Sequence, residues 1–232
     1  MKLGLLSDIH GNYLALEAVL NSAEEKGVDV LLLAGDLIGY YFWPKEIMGL
    51  LSSWDTIAVR GNHEEMLNKA FENPLMLTEI EREYGCGLRV ALNSLTAKQL
   101  DWLTSLPHPR EMAIDGQKIL LCHGSPWSLD DYIYPDLKTT TKDRFLEMDF
   151  DWIILGHTHY PMMVECGKTK VVNPGSVGQP RNREPGAHWA TLDTKSLQFK
   201  KYIEEYDIDL VAEQTRAREP DIPYLREVLV RQ

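Results

Sequence analysis

Five short apolar runs in this sequence each end in residues that carry an imidazole, a carboxylate or an amide. In an open α/β sheet, ligands bind in the crevice outside the carboxyl ends of the strands. If the apolar runs are neighbouring strands, their polar ends therefore converge on one place. The residues concerned are Asp8 and His10, Asp36, Asn62 and His63, His123, and His157 and His159. Because five of the seven histidines fall in this set, the crevice is the expected functional site.

The first half of the chain alternates strand and helix patterns. Leu3–Leu6 is an apolar run, and Asn12 opens a helical pattern. Val30–Ala34 is apolar throughout, which is typical of a strand that is buried on both faces of a parallel sheet. Pro44 suits the first turn of the next helix, and Ile57–Arg60 predicts a third strand. This alternation predicts a parallel βαβ start.

The second half has more antiparallel character. Residues 64–106 predict mostly helix, and Thr96 with Gln99 has the spacing of a capping box. Beyond them, turn signals separate β-like runs at Asp115-Gly116, Cys166-Gly167 and Asp193-Thr194. We predict an α/β fold in which two packed mixed β-sheets, a β-sandwich, are flanked by α-helices.

Composition excludes some partners and indicates one main domain. The 232 residues are 44% hydrophobic, and no repeat or linker divides them before the last ~30 residues. The formal net charge of −11 repels long nucleic acids and anionic membrane surfaces. The first apolar run reaches Asp8 too soon for a signal peptide, so we expect a cytoplasmic protein. The three cysteines are widely spaced, which predicts reduced thiols: Cys86, Cys122 and Cys166.

The side chains of the five clusters predict a metal site. Imidazole, carboxylate and amide groups suit borderline divalent ions such as Mn, Fe, Zn or Ni. There are more candidate ligands than one four-coordinate ion needs, so two ions are favoured. Ions ~3.5–4 Å apart need a bridging ligand, and the carboxylate of Asp36 has two oxygens for this purpose. A hydroxide that bridges the ions could then attack a substrate.

Five motifs follow one another in the order DxH, GDxxG, GNHE, HG and GHTH. They are Asp8-Ile9-His10, Gly35-Asp36, Gly61-Asn62-His63-Glu64, His123-Gly124 and Gly156-His157-Thr158-His159. This order resembles the calcineurin-like metallophosphoesterase superfamily. A later NPGS stretch, Asn173–Ser176, with Arg181 beyond it, is similar to the small bacterial and archaeal phosphodiesterase branch. The resemblance implies a metallophosphoesterase domain over residues 1–203. Residues 204–232 are then a C-terminal helical extension that either caps this domain or forms a dimer contact.

The resemblance implies a role for each motif residue. One metal ion would be held by Asp8, His10, Asp36 and His159. The second would be held by Asp36, Asn62, His123 and His157. Next to Asn62, His63 would act as general acid on the leaving oxygen or stabilise charge on the phosphoryl group, and Glu64 would orient it.

Other residues have two open interpretations. Ser176 belongs either to a plain turn or to a loop that presents N–H groups to an anion. Arg181 and Arg60 either bind a substrate phosphate or pair with surface carboxylates. The aromatic run Tyr40–Trp43 departs from the small residues usual in the branch. It either stacks on a nucleoside base at the site entrance or packs into the core or a dimer interface.

The implied activity is metal-dependent hydrolysis of small phosphate esters. Phosphodiesters or nucleotides are favoured because the nearest resemblance is to phosphodiesterases, and the GDxVDRG signature of protein phosphatases is absent after Asp36. The alternatives are a phosphomonoesterase with the same metals and a non-catalytic binding scaffold. A homodimer is expected only as the commonest oligomer.

Overall fold

Two five-stranded sheets form the centre of the computed structural model, which describes residues 1–232 apart from the side chain of Pro74. The strands are β1 (Lys2–Leu6), β2 (Val30–Leu33), β3 (Thr56–Ala58), β4 (Arg110–Ile114), β5 (Gln117–Leu121), β6 (Trp152–Ile154), β7 (Met162–Cys166), β8 (Thr169–Asn173), β9 (Ala187–Asp193) and β10 (Gln198–Glu204). The helices are α1 (Tyr13–Glu25), α2 (Pro44–Leu51), α3 (Asn62–Glu72), α4 (Pro74–Tyr84), α5 (Gly87–Ser94), α6 (Ala97–Ser105), α7 (Thr139–Leu146), α8 (Ile208–Arg218) and α9 (Tyr224–Val230).

Both sheets have a parallel centre and antiparallel edges. The first sheet has the order β10-β9-β1-β2-β3, with β1, β2 and β3 parallel. The second has the order β4-β5-β6-β8-β7, with β5, β6 and β8 parallel. Parallel neighbours end at the same sheet edge, so each sheet brings the loops after its central strands together. The predicted fold class of two packed mixed sheets flanked by helices is confirmed.

Alternation along the strands divides the core into two layers. Leu3 and Leu5 of β1 belong to an apolar cluster between the sheets, which Trp152 of β6 enters from the second sheet. Leu6 and Leu31 belong to a separate cluster and pack under the helices. Successive strand residues point to opposite faces, so strands that are apolar throughout are buried on both sides.

Local signals in the sequence produce several of the observed boundaries. The Asn12 side chain caps α1 by accepting from the N–H of Ala15 at 3.3 Å. Thr96 and Gln99 form the predicted capping box at the start of α6. β3 ends at Ala58, earlier than predicted, because the N–H of Arg60 donates outside the sheet to the carbonyl of Pro107.

The C-terminal helices pack against the loop that follows β2. The hydroxyl of Tyr41 donates to the carbonyl of Leu225 at 2.8 Å, and Val228 and Leu229 of α9 complete an apolar cluster with Phe42. The three cysteines are free thiols, with Cys122 and Cys166 buried and Cys86 half-buried, as predicted. Within the described residues, no helix combines the length and apolar character needed to cross a membrane.

Candidate metal centre and active site

The loops after five strands bring the predicted polar residues together. The loop after β1 carries Asp8 and His10, the loop after β2 carries Asp36, and α3 begins with Asn62 and His63 just beyond β3. The second sheet contributes His123 after β5, and His157 and His159 after β6. The expected convergence therefore takes place where the carboxyl ends of the parallel strands of both sheets meet.

The backbone at these positions is held in an uncommon conformation. Five of the predicted metal-binding residues have a positive φ: Asp8 at 55°, His10 at 52°, Asp36 at 55°, His157 at 66° and His159 at 60°. Residues other than glycine rarely adopt this left-handed region, and such strain clusters at functional sites. The surrounding fold therefore holds these side chains in place against the local preference of the chain.

Two groups of predicted metal-ligand atoms share the cleft, and His10 and Asp36 also form a third group with His63. In the first, the Nε2 atoms of His10 and His159 lie 3.1 Å apart, and His159 Nε2 lies 3.3 Å from Asp8 Oδ1. In the second, Asp36 Oδ2 lies 3.3 Å from His123 Nε2, and His157 completes the group. Asp36 Oδ2 also lies 3.6 Å from His10 Nε2. Asp36 therefore stands between the two groups.

The amide oxygen of Asn62 belongs to the second group. Asn62 Oδ1 lies 2.9 Å from His123 Nε2 and 2.9 Å from His157 Nδ1. Those two ring nitrogens are themselves 3.2 Å apart. An oxygen and two imidazole nitrogens that close together form a compact ligand set of mixed N and O donors.

The histidine tautomers fit a metal ion. His123 Nδ1 lies 2.7 Å from the carbonyl of Ala34, and His159 Nδ1 lies 2.5 Å from the carbonyl of Gln179. Because a carbonyl only accepts, each Nδ1 carries the hydrogen, and in the neutral ring Nε2 presents its lone pair to the cleft. Metal-binding histidines are usually fixed by such a backbone contact. The donor set therefore suits a borderline divalent ion such as Mn, Fe, Zn or Ni.

The buried carboxylates make the cleft attractive to cations. Burial raises the pKa of Asp8, but the neighbouring rings of His159 and His123 together outweigh burial and hold that pKa well below its ordinary value. Burial lowers the pKa of His123, but the carboxylates of Asp36 and Asp8 and the carbonyl of Ala34 together outweigh burial and raise the pKa to about 10. A cation is therefore stabilised beside these carboxylates, and a divalent ion can take the place of the proton.

A cavity of about 50 Å³ opens over these residues. We call the seven metal-binding candidates the floor: Asp8, His10, Asp36, Asn62, His123, His157 and His159. The side chains that line the cavity above them form the rim: Tyr40, His63, Tyr84, Tyr132 and Arg181. The rim combines one cationic side chain with four rings, and it surrounds a space suited to a small anion.

His63 lies in the rim, packed among other rings. Its ring centroid is 4.7 Å from those of His10 and Tyr40. Gly39 makes this approach possible, because a Cβ there would lie 2.0 Å from His63 Nδ1. Burial lowers the pKa of His63 to about 4. A neutral ring can donate one hydrogen bond into the cavity, which fits the charge-stabilising alternative of its predicted role.

Glu64 does not orient His63, contrary to the prediction. One carboxylate oxygen accepts from the backbone N–H groups of Asp36 and Gly61, at 2.9 and 2.8 Å. The other accepts from Leu37 at 2.9 Å and from Ile38 at 3.3 Å. Both oxygens are directed at the backbone because these loop N–H groups have no strand partner. Glu64 therefore fixes the loop that carries Asp36.

The three predicted substrate-binding residues have different surroundings. Arg181 lines the cavity and donates from Nη2 to Tyr40 Oη at 3.1 Å. Arg60 instead pairs with Glu65 Oε2 at 3.2 Å, away from the cavity lining, which favours the interpretation that it pairs with a surface carboxylate. The Ser176 hydroxyl donates to the carbonyl of Asp8 at 2.8 Å and is fully buried, so it supports the floor rather than a substrate.

The aromatic residues after β2 lie in two different surroundings, one at the cavity and one in the core. Tyr40 lines the cavity, whereas Tyr41 and Phe42 are buried against the C-terminal helices. Sequence reasoning missed two other rim tyrosines. Tyr132 lies in the same loop as His123, the one between β5 and α7, and this closeness in the sequence could have pointed to Tyr132. Tyr84 lies at the end of α4, where no local pattern pointed to the cleft.

The fold and the floor together define a metal-dependent phosphoesterase. A family model described as the calcineurin-like phosphoesterase superfamily domain matches residues 1–197. The chain therefore belongs to the calcineurin-like phosphoesterase superfamily, as the motif order predicted, and is related to its small bacterial and archaeal branch.

Relatives of known sequence or structure agree with this assignment. The chain is 29% identical over 225 residues to an uncharacterised protein of Methanocaldococcus jannaschii, covering 89% of this chain and 88% of the relative. It is 26% identical over 207 residues to the phosphodiesterase YfcE of Escherichia coli, covering 85% and 90%. A solved metallophosphoesterase from Sphaerobacter thermophilus superimposes with a TM-score of 0.79 at 27% identity, covering 98% and 99%.

Proposed function

We propose that this chain hydrolyses small phosphodiesters, using two divalent metal ions bound at the floor. The observation that carries the proposal is the position of Asp36. Its carboxylate belongs to a group with His123 and His157, and to another with His10 and His63. One carboxylate with ligand neighbours on both sides is the arrangement that a bridging ligand requires.

In this proposal, Asp8, His10, Asp36 and His159 hold one ion, and Asp36, Asn62, His123 and His157 hold the other. The bound ions would supply Lewis acidity and lower the pKa of a water molecule so that it can attack phosphorus near neutral pH. Manganese, iron, zinc and nickel all suit these ligands, and availability in the cell would decide among them.

Two rim residues would bind the reacting phosphoryl group. Arg181 is a guanidinium at the cavity wall, and charged N–H groups bind phosphate oxygens strongly. His63 would donate a hydrogen bond to a phosphoryl oxygen or to the oxygen that leaves. Both groups are fixed before substrate arrives, Arg181 by Tyr40 and Gln179, and His63 by the rings around it.

The charge of the cavity lining and the similarity to YfcE both favour phosphodiesters over phosphomonoesters as substrates. Among the described side chains that line the cavity, Arg181 is the one permanent cation. A phosphodiester presents a single negative charge, which one guanidinium above the metal ions can match, whereas a monoester dianion presents more. The relative YfcE is named a phosphodiesterase, which supports the same choice.

The test compares a diester with a monoester that releases the same product. We expect kcat/KM for bis(4-nitrophenyl) phosphate to exceed that for 4-nitrophenyl phosphate, when both are measured by 4-nitrophenolate release with Mn²⁺. EDTA should abolish both activities and fresh Mn²⁺ should restore them, because the proposed hydrolysis requires the metal ions that the floor binds. A preference for the monoester would identify a phosphomonoesterase. If the folded protein hydrolyses neither ester with Mn, Fe, Zn or Ni bound, the proposal is refuted.

A further inference from the structure

The cavity over the floor is too small for a whole organic substrate. Its volume is about 50 Å³, whereas small-molecule sites in proteins commonly enclose ~300–1,000 Å³. A phosphoryl group fills this space, so the rest of a phosphate ester must lie outside it. If the proposed function holds, the part of the ester outside the cavity needs a binding surface of its own.

A second hollow of about 300 Å³ adjoins the cavity at Tyr132. The Tyr132 side chain lines both spaces, and its ring centroid lies 4.3 Å from that of His157 in the floor. A group bound on Tyr132 is therefore one ring away from the candidate metal ligands. The second hollow is also lined by Tyr134 and Leu137, and by one side chain of each charge, Asp136 and Lys138.

The aromatic surface of this hollow is open to ligand. Tyr132 is 56% exposed and Tyr134 is 39% exposed. Their rings are nearly parallel, with an interplanar angle of 19° and centroids 6.1 Å apart. The Tyr134 and Tyr160 rings meet in a T-shaped contact with centroids 5.4 Å apart, which supports Tyr134. Exposed, parallel and supported rings offer flat faces to a planar group.

The loop that carries Tyr132 is fixed by its own hydrogen bonds. The Ser125 hydroxyl donates to Asp131 Oδ2 at 2.6 Å and accepts from the N–H groups of Trp127 and Ser128, each at 3.1 Å. Gly124 permits this turn, because a Cβ there would lie 2.3 Å from the carbonyl oxygen of Leu129. The tyrosine faces are therefore positioned before a ligand binds, which lowers the entropic cost of binding.

We propose that Tyr132 and Tyr134 form a subsite that stacks a planar aromatic group attached to the phosphate, of which a nucleoside base is the biological class. The phosphoryl group then lies over the floor beside Arg181, and the base lies on the tyrosine rings of the second hollow. An alkyl or sugar group lacks a π-face and gains much less from this surface. This subsite makes the enzyme selective for nucleotide-like esters.

The experiment compares adenosine 5′-monophosphate with ribose 5-phosphate by calorimetric titration of the Mn²⁺-loaded protein. The two ligands share the ribose 5-phosphate unit and differ at C1 of the sugar, which carries the base in one ligand and a hydroxyl in the other. We expect adenosine 5′-monophosphate to bind roughly 5- to 100-fold more tightly, the range that base–aromatic stacking supplies. Tyr132→Ala should remove most of this preference and Tyr134→Ala should remove part of it. Tyr134→Ala should leave the affinity for ribose 5-phosphate unchanged, because Tyr134 does not line the phosphoryl cavity.

Two matched variants separate stacking from other effects. Tyr132→Phe keeps the aromatic face and should retain the preference. Phe71→Ala removes a 52% exposed aromatic ring near the far end of α3 and should leave both affinities unchanged. Tyr132 is exposed, so its substitution is expected to leave the unfolding temperature close to that of the parent, which thermal unfolding checks.

The outcome for the subsite is independent of the outcome for turnover. Equal affinity for the two ligands, or an undiminished preference in both Tyr132→Ala and Tyr134→Ala, overturns the subsite even if diesters are hydrolysed. A base-dependent preference that disappears in these variants supports the subsite, even if the aryl diester used to test the proposed function gives no turnover.

Discussion

The floor and the rim of the cleft are built in different ways. The floor residues come directly after parallel strands, and five of them hold a left-handed backbone conformation. The rim residues come from separate segments, including the loop after β2 and the end of α4, and meet through side-chain packing. The floor is therefore set by the backbone of the two sheets, whereas the rim depends on how loops and helices cover them. We expect the floor to carry the chemistry and the rim to carry the selectivity.

The largest effect should come from the shared carboxylate of the floor. Asp36→Asn keeps the size of the side chain but replaces one carboxylate oxygen with an NH2 group that cannot coordinate an ion, so the side chain no longer has two oxygens to share between two ions. Loss of groups that merely support metal ligands costs about 10–100-fold in affinity or activity. We expect a larger loss of kcat/KM for bis(4-nitrophenyl) phosphate, together with a lower metal content by mass spectrometry.

A matched control for this change is Asp143→Asn on the exposed face of α7, which should leave activity and metal content unchanged. An Asp36→Asn protein that retains both its metal and its activity would contradict the assignment of Asp36 as the shared ligand.

The next largest effect should come from beneath the floor. Glu64→Ala leaves four buried backbone N–H groups without their acceptor, those of Asp36, Leu37, Ile38 and Gly61. An unsatisfied buried polar group costs about 1–3 kcal/mol, so we expect the free energy of unfolding to fall by at least about 3 kcal/mol. Urea unfolding measures this fall.

The neighbouring residue provides the comparison for Glu64. Glu65→Ala breaks only partly exposed ion pairs, those with Arg60 and Lys69, so its expected loss is at most about 1 kcal/mol. Glu64→Gln keeps one oxygen that can accept from two N–H groups and should have an intermediate effect. If Glu64→Ala is no less stable than Glu65→Ala, the carboxylate does not hold the Asp36 loop.

The difference between floor and rim also explains what could be predicted from the sequence. Asp36 and His157 follow apolar runs, so their place at the ends of strands could be recognised from local order alone. The hairpin at Asp115-Gly116 and the capping box at Thr96 were equally local and are confirmed. These features depend on residues close together in the chain, where turn and helix preferences are strong.

Contacts between distant segments could not be predicted in this way. Glu64 was expected to serve its neighbour His63, but its partners lie on the loop after β2. Arg60 and Arg181 were equivalent as sequence features, yet one pairs with Glu65 and the other reaches the cavity. The direction of a long side chain depends on which segments pack beside it, and a single sequence does not specify that packing.

The two arginines give the most direct comparison for the rim. Arg181→Ala removes a guanidinium that faces the cavity, and hydrogen bonds to charged groups contribute about 1.5–3 kcal/mol. We expect kcat/KM for the diester to fall roughly 10- to 100-fold, since each 1.4 kcal/mol is tenfold. Metal content should be unchanged, because Arg181 is not a metal ligand. Arg60→Ala is the matched control and should leave kcat/KM unchanged.

A double variant then tests how Arg181 is positioned. Tyr40→Phe keeps the ring but removes the hydroxyl that accepts from Arg181 at 3.1 Å. Alone, it should lower kcat/KM less than Arg181→Ala does, because the contact of Arg181 with Gln179 Oε1 at 3.1 Å remains. In the Arg181→Ala background the same change should have no further effect, because the hydroxyl acts only through the guanidinium. Additive losses would mean that Tyr40 acts on the substrate independently, and the rim would then contain two separate phosphate-binding groups.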